Sequence, residues 1–429
     1  MNGKADRVNL LDFRTAPMRA FHMAWVAFFL CFFGWFGLAP LMPVIRGEMH
    51  LSKEQIGNSA IAAVAITILV RVFIGWLCDR VGPRRAYTWL LVLGSIPVMG
   101  VGLAHDYASF LGFRLAIGAI GASFVVTQYH TSVMFAPRVV GTANATAAGW
   151  GNLGGGVTQI VMPLLFGAFL SLGAGTWLSW RLSMLAAGVA LLVTGIAYYF
   201  LTQDTPDGNF RRSAVKKQTT AAFAEACRDP RVWALALLYG CSFGVELTID
   251  GFAALYYTDV FHLSLTAAGV VAGSFGAMNL FARALGGVAS DRCGRLWGLR
   301  GRTLLLGAMI AAEGLAMMAF AQARWLPAAI ATMVIMGLFV KMSNGANYAI
   351  VPFVNSQALG AVAGIVGAGG NLGAVLAGFL FKTPALSYSQ ALMILGGVVA
   401  ACSVAVLGLR FTERAAPDSE LAMAAATGD

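Results

Sequence analysis

The chain has 429 residues, 59% of them hydrophobic and only 11% charged. A soluble domain carries about 25% charged residues, so this chain has too little polar surface to clothe a soluble core, and a bilayer must serve as its solvent. The formal charge of +10 is spread along loops and tails in the manner of membrane topology, which argues against nucleic acid as a partner.

Residues 1–19 are polar, carry Lys4, Arg7, Arg14 and Arg19, and contain no short apolar run ending in a cleavage site. A spanning helix takes ~20 apolar residues. Such stretches are expected at 20–45, 54–78, 84–104, 109–136, 140–172, 178–202, 231–259, 264–290, 303–322, 325–353, 357–381 and 388–411. The expected fold is therefore all-α, a polytopic membrane protein with about twelve spans. Arg46, Lys53, Arg181, Arg324 and Lys382 fall on one side of the bilayer, while most of the 29 Lys and Arg fall on the other. The positive-inside rule then places both termini and the central loop in the cytoplasm.

The second span carries Arg71 and runs into Gly75-x3-Asp79-Arg80-x-Gly82-x-Arg84-Arg85. Arg71 lies eight residues before Asp79, ~12 Å at 1.5 Å per residue and so near the midplane of a ~30 Å hydrocarbon core. An arginine there costs at least ~2.5–3.5 kcal/mol and is too deep to snorkel easily. The fourth span opens at Arg114, which either acts in coupling or snorkels outward. The fifth span holds Asn152 in Ala147-Ala-Gly-Trp-Gly-Asn-Leu-Gly-Gly-Gly156. Its Gly149-x-Gly151-x-x-Gly154 string follows no strand and is not a dinucleotide loop. Most of these glycines read as close helix packing.

The loop 203–230 is charged and divides six spans from six, giving an N-terminal half 1–202, a linker 203–230, a C-terminal half 231–411 and a tail 412–429. In the seventh span Tyr239, Phe243, Glu246 and Asp250 share one helical face. Intramembrane acids are expensive and often mark proton relays. Pairing with Arg, or capping a bend, is the alternative. The eighth span repeats the second: Arg283-x3-Gly287-x3-Asp291-Arg292, followed by Gly294-Arg295. Lys341 in the tenth span lies near Asn344, Asn347 and Tyr348, with no role legible. The eleventh repeats the fifth in Gly370-Asn371-Leu372-Gly373. Two echoes in the same order indicate parallel six-helix halves with a site near the midplane. Arg71 and Arg283 would then converge on one cavity, where paired guanidinium donors suit a planar oxyanion.

The loop motifs at Asp79-Arg80 and Asp291-Arg292 resemble the cytoplasmic signature of the major facilitator superfamily, where they brace helix ends and help to gate. The strings around Asn152 (with Val157-Thr158-Gln159) and Asn371, together with Phe21-His22 and Val351-Pro352-Phe353-Val354, resemble the nitrate/nitrite porter family. The likeness runs through nearly all of the chain and is nearest to the proton-coupled high-affinity branch. It implies that Arg71, Arg283, Asn152 and Asn371 bind the anion, that Phe124, Tyr239 and Phe243 pack against it, and that Glu246 and Asp250 couple protons. The short linker, and the lack of a long C-terminal domain, suggest a bacterial relative in the inner membrane.

The expected function is uptake of nitrate, or nitrite, by alternating access with protons as co-substrate. The alternatives are a nitrate/nitrite antiporter or a carrier of another small organic anion. No paired His, metal spacing, nucleophile elbow or phosphate loop suggests an enzyme, and no cofactor is implied. Cys31, Cys78, Cys227, Cys241, Cys293 and Cys402 form no CxxC and read as packing thiols, and His22 and His130 read as packing or interfacial residues. The sequence says nothing about an accessory subunit.

Overall fold

A computed structural model describes residues 3–209, 220–355 and 359–411. The basic cluster Arg211, Arg212, Lys216 and Lys217 of the linker, and the tail 412–429, lie outside the described residues. The regular elements are helical: α1 (Ala16–Phe36), α2 (Met42–Met49), α3 (Lys53–Val81), α4 (Pro83–Gly100), α5 (Tyr107–Ile117), α6 (Ser123–Met134), α7 (Pro137–Ser171), α8 (Thr176–Leu201), α9 (Thr220–Arg228), α10 (Pro230–Phe261), α11 (Leu265–Ala277), α12 (Ala282–Gln322), α13 (Leu326–Tyr348), α14 (Leu359–Lys382) and α15 (Tyr388–Cys402).

Sequence signals set many of the ends. Ser52 starts α3 with a capping box: its hydroxyl accepts the Gln55 amide, and Gln55 Oε1 accepts the Ser52 amide at 2.9 Å. Asp106 and Ser109 do the same for α5, and Ser387 and Gln390 for α15. Gly82, between α3 and α4, has φ +86°. A Cβ there would overlap the Asp204 carboxylate, which accepts the Arg84 amide at 3.0 Å. The signature glycine thus admits a carboxylate that caps α4.

Eleven stretches among the described residues are long and apolar enough to cross a membrane. Ten of them run 21 to 32 residues, but Leu265–Gln322 is 58 residues long. At 1.5 Å per residue that is ~87 Å, far more than the ~30 Å hydrocarbon core. It breaks at Trp297 and Gly298, whose backbone is non-helical, and so holds two crossings. The total agrees with the expected twelve.

By contact, the chain forms two compact units, Met1–Val215 with Asp250–Ala277, and Lys216–Ile249 with Met278–Asp429. The cut falls inside α10. In the first unit, segment 250–277 is held by three devices. Arg46 and Asp259 form a forked ion pair at 2.7 and 2.6 Å. Gln159 Nε2 donates to the Asp250 carbonyl at 2.7 Å. Gly156 of α7 and Gly276 of α11 leave no room for a Cβ on either, so the two backbones touch.

In the second unit, α12 crosses α13 equally closely. A Cβ on Gly286 would overlap the Met342 carbonyl oxygen, and one on Gly345 would overlap that of Arg283. Gly314 of α12 meets Gly396 and Ala400 of α15 in the same way. In a bilayer no hydrophobic drive separates helix from lipid, so such backbone approach supplies the dispersion contacts that hold helices together.

Candidate functional site

The two units carry the same construction. In the first, the Arg71 guanidinium lies 5.7 Å from the Phe124 ring centroid. Phe124 packs on Phe28, with centroids 5.8 Å apart, and Phe28 covers Gly151 so closely that no Cβ would fit. In the second, the Arg283 guanidinium lies 5.8 Å from the Phe243 centroid. Phe243 stacks on Tyr239 at 5.1 Å and 6°, and both rings cover Gly370. Each signature glycine accommodates an aromatic plate, and each plate carries an arginine by cation–π contact, an interaction of ~0.5–2 kcal/mol.

The next residue along is the signature asparagine. Asn152 is 1% exposed and Asn371 is fully buried. The amide oxygen and nitrogen of both lack a hydrogen-bond partner among the described residues. A buried amide without partners is costly and rare in a structural role, but it suits a group that bonds a ligand. The remaining signature glycines close the frame. Gly154 abuts the Phe29 backbone of α1, and Gly373 abuts Gly240 of α10. Thr158 and Gln159 brace the frame: the Thr158 hydroxyl donates to the Phe33 carbonyl at 2.9 Å, and Gln159 holds Asp250 as described.

The acids of α10 part company. Glu246 belongs to the second unit and is 1% exposed. It accepts hydrogen bonds from Asn279 at 2.9 Å and Asn344 at 2.6 Å, and it pairs with Arg283 at 3.0 Å and Lys341 at 2.7 Å. Asp250 belongs to the first unit, beside Gly155, where an added Cβ would come within 3.3 Å of its Oδ2. Lys341, unassigned in the sequence, is a counter-ion of Glu246. Asn279 and Asn344, which complete the shell, carried no usable sequence signal beyond the spacing of Asn344 from Lys341. Glu313 of α12 passed unnoticed in an apolar stretch, yet it is fully buried.

Of the residues expected to gate, Arg80 lies over Trp76 at 4.3 Å. Asp291 pairs with Arg302 across the α12 break at 2.6 Å, and Arg302 lies over Phe353 at 5.1 Å. Arg292 is exposed. The Asp79 side chain lies outside the described residues. Arg114 does not snorkel: it is buried, and its Nη1 donates to the Trp35 carbonyl at 3.4 Å. His130 is a packing residue, with its ring nitrogens against the Tyr198 hydroxyl and the Gln203 carbonyl. His22 accepts from Trp25 Nε1 at 3.3 Å. None of the six cysteines is joined in a disulfide, and the described residues hold no cluster of His, Cys, Asp and Glu fit for a metal ion.

The Major Facilitator Superfamily profile matches residues 24–378. "High affinity nitrate transporter 2.5" of Arabidopsis thaliana is 36% identical over 96% of this chain and 83% of its own length. "High-affinity nitrate transporter 2.3" of Oryza sativa is 36% identical over 96% and 81%. "Nitrate/nitrite transporter NrtP" of Nostoc punctiforme is 29% identical over 83% and 85%. A bacterial homolog of the human lysosomal transporter Spinster has a similar fold, with a TM-score of 0.69 and 19% identity over 95% of this chain and 97% of that one.

Proposed function

The chain belongs to the major facilitator superfamily, and within it to the nitrate/nitrite porter family, and from that premise we propose that it takes up nitrate, with nitrite as a second substrate, by proton symport. The chain is a transporter, not an enzyme. The observation that carries the substrate reading is the doubled construction of arginine, aromatic plate and glycine–asparagine pair. Arg71 and Arg283 supply forked donors for a planar oxyanion, Asn152 and Asn371 supply unpaired amides, and Phe124, Tyr239 and Phe243 limit the room. The names of the relatives point to the same anion.

Glu246 and Asp250 are proposed as the coupling acids. Glu246 already holds Arg283. Protonating Glu246 would release that guanidinium to an incoming anion, tying anion entry to proton entry. Coupling is needed because an anion entering a negative-inside cell is opposed by ~2.3 kcal/mol per 100 mV. The six-helix halves 1–202 and 231–411 are proposed as the parts that alternate access. The segments around Asp79-Arg80 and Asp291-Arg292 would form the gates, with both termini in the cytoplasm and the protein in the plasma membrane.

The test is uptake of nitrate and nitrite into proteoliposomes under imposed pH gradients. Accumulation that follows an inward proton gradient supports symport. Uptake that needs nitrite or nitrate on the opposite side, and ignores the gradient, would replace symport with exchange.

A further inference from the structure

Glu313 sits in the C-terminal quarter of α12, in the run Met309-Ile-Ala-Ala-Glu-Gly-Leu315, a stretch with no other charge. It is fully buried, and the Ser343 hydroxyl of α13 lies beside its carboxylate. An ionised carboxylate is costly at such depth, so whether Glu313 carries its charge depends on the groups around it. It is not isolated, however. On α13, Ser343 and Lys341 face it, and on α10 so does Glu246, whose charge and that of Lys341 both reach it. Cys241 on α10 lies near enough to interact with it, and Cys402 at the end of α15 adjoins Cys241. These are the titratable groups on the three elements packed around it.

Lys341 is fully buried and pairs with Glu246 at 2.7 Å, and Glu246 pairs with Arg283 at 3.0 Å. With Glu313 protonated, one carboxylate faces two cations, and the cluster carries one net positive charge. With Glu313 ionised the cluster is neutral. Whatever Glu246 does, a proton on Glu313 makes the cluster more positive by one unit, the charge of one monovalent anion.

We infer that Glu313 is a further proton-binding residue of the carrier, linked through Lys341 and Glu246 to the affinity of Arg283 for the anion. The inference rests on the substrate reading above and adds to it a proton site apart from Glu246 and Asp250. The step is a simple protonation: the carboxylate takes a proton from solvent when the anion binds and returns it when the anion leaves. By reciprocity, nitrate binding raises the proton occupancy of Glu313 by the same factor by which its proton raises nitrate affinity. Glu313 touches no substrate and acts by positioning charge.

The test uses purified full-length protein, with nitrate affinity measured as a function of pH. In the wild type the affinity weakens as pH rises, by up to about tenfold per pH unit for one linked proton. Glu313→Gln, which copies the neutral form, should bind nitrate at the tight limit with the Glu313 contribution to the pH profile gone. Glu313→Asp should restore a pH-dependent profile. An infrared difference spectrum on nitrate binding should show a protonated-carboxyl carbonyl band that is missing in Glu313→Gln and moved in Glu313→Asp. A wild-type pH profile in Glu313→Gln overturns the inference. If that variant does not fold, an infrared band that stays unmoved in Glu313→Asp overturns it as well.

Proteoliposomes separate this claim from symport itself. If the wild type accumulates nitrate with the pH gradient and Glu313→Gln does so equally, Glu313 falls and symport stands. If the wild type shows no gradient-driven accumulation, yet loses its pH-dependent binding in Glu313→Gln, symport falls and the proton site stands.

Discussion

The ion pair between Glu246 and Lys341 offers the sharpest energetic test of the second unit. Both residues are buried in an apolar bundle, at 1% and 0% exposure. At contact distance and an effective dielectric of ~20, a pair of unit charges is worth roughly 4 kcal/mol. Removing one partner of a buried pair commonly costs about 3–5 kcal/mol. Glu246→Gln should sit in that range, because it takes the carboxylate from Lys341 and from Arg283 at once. Lys341→Met should cost less, about 1–3 kcal/mol, because Glu246 keeps Arg283, Asn279 and Asn344. The double variant should be more stable than the sum of the two losses predicts, by about 2–3 kcal/mol, since it leaves Lys341 no charge to strand. Arg283 retains 13% side-chain exposure and so some hydration. Equilibrium unfolding in mixed detergent micelles measures all four proteins. Strict additivity of the single losses, or a Lys341→Met variant less stable than Glu246→Gln, would refute the view that these charges form one buried unit.

Other substitutions address other links. Arg71→Lys and Arg283→Lys should leave folded proteins whose nitrate affinity is more than about tenfold weaker, since Lys lacks the forked donor; calorimetric binding of nitrate reports this, and wild-type affinity in both would remove the arginines from the site. Asn152→Ala should weaken nitrate binding more than Gly155→Ala, whose Cβ meets Asp250 Oδ2 at 3.3 Å and Phe36 and Phe32 at ordinary contact distance; equal losses would mean that the amide is structural. Gly286→Ala should cost about 1–3 kcal/mol, because its Cβ meets the Met342 backbone. The adjacent Gly287→Ala, with nothing within 4 Å, should be neutral or slightly stabilising; thermal stability in detergent distinguishes them. At the start of α10, burial works against ionising Asp229, but the Arg231 side chain and amide prevail and hold its carboxyl below the ordinary value. That stability is present above the ordinary carboxylate range and is lost as pH falls through the lowered value. Asp229→Asn should therefore cost under about 1 kcal/mol at pH near 7, with the gap to wild type closing in acid. A gap that widens in acid would contradict this sign.

Composition alone dictates the membrane, because 11% charged residues cannot hydrate a chain of this size. Spacing dictates the repeat: Arg71 and Arg283 stand at the same distance before their loop acids, and Asn152 and Asn371 sit in the same glycine frame. The sequence reads most of the glycines as close helix packing but does not say what each one meets. Only the packing shows that Gly151 and Gly370 make room for aromatic plates while Gly154 and Gly373 admit a neighbouring backbone. Helical periodicity placed Glu246 and Asp250 on one face, yet their environments are set by different neighbours, Lys341 and Arg283 for one and Gln159 and Gly155 for the other. Lys341 and Glu313 carried no local signal of partnership, because a lone charge in an apolar run gives no hint of what faces it. Their meaning depends on α10, α12 and α13 bringing together charges far apart in the sequence, Lys341 and Glu246 to 2.7 Å. In a low-dielectric bundle it is that proximity, not the identity of either residue, that decides whether a buried charge is paired.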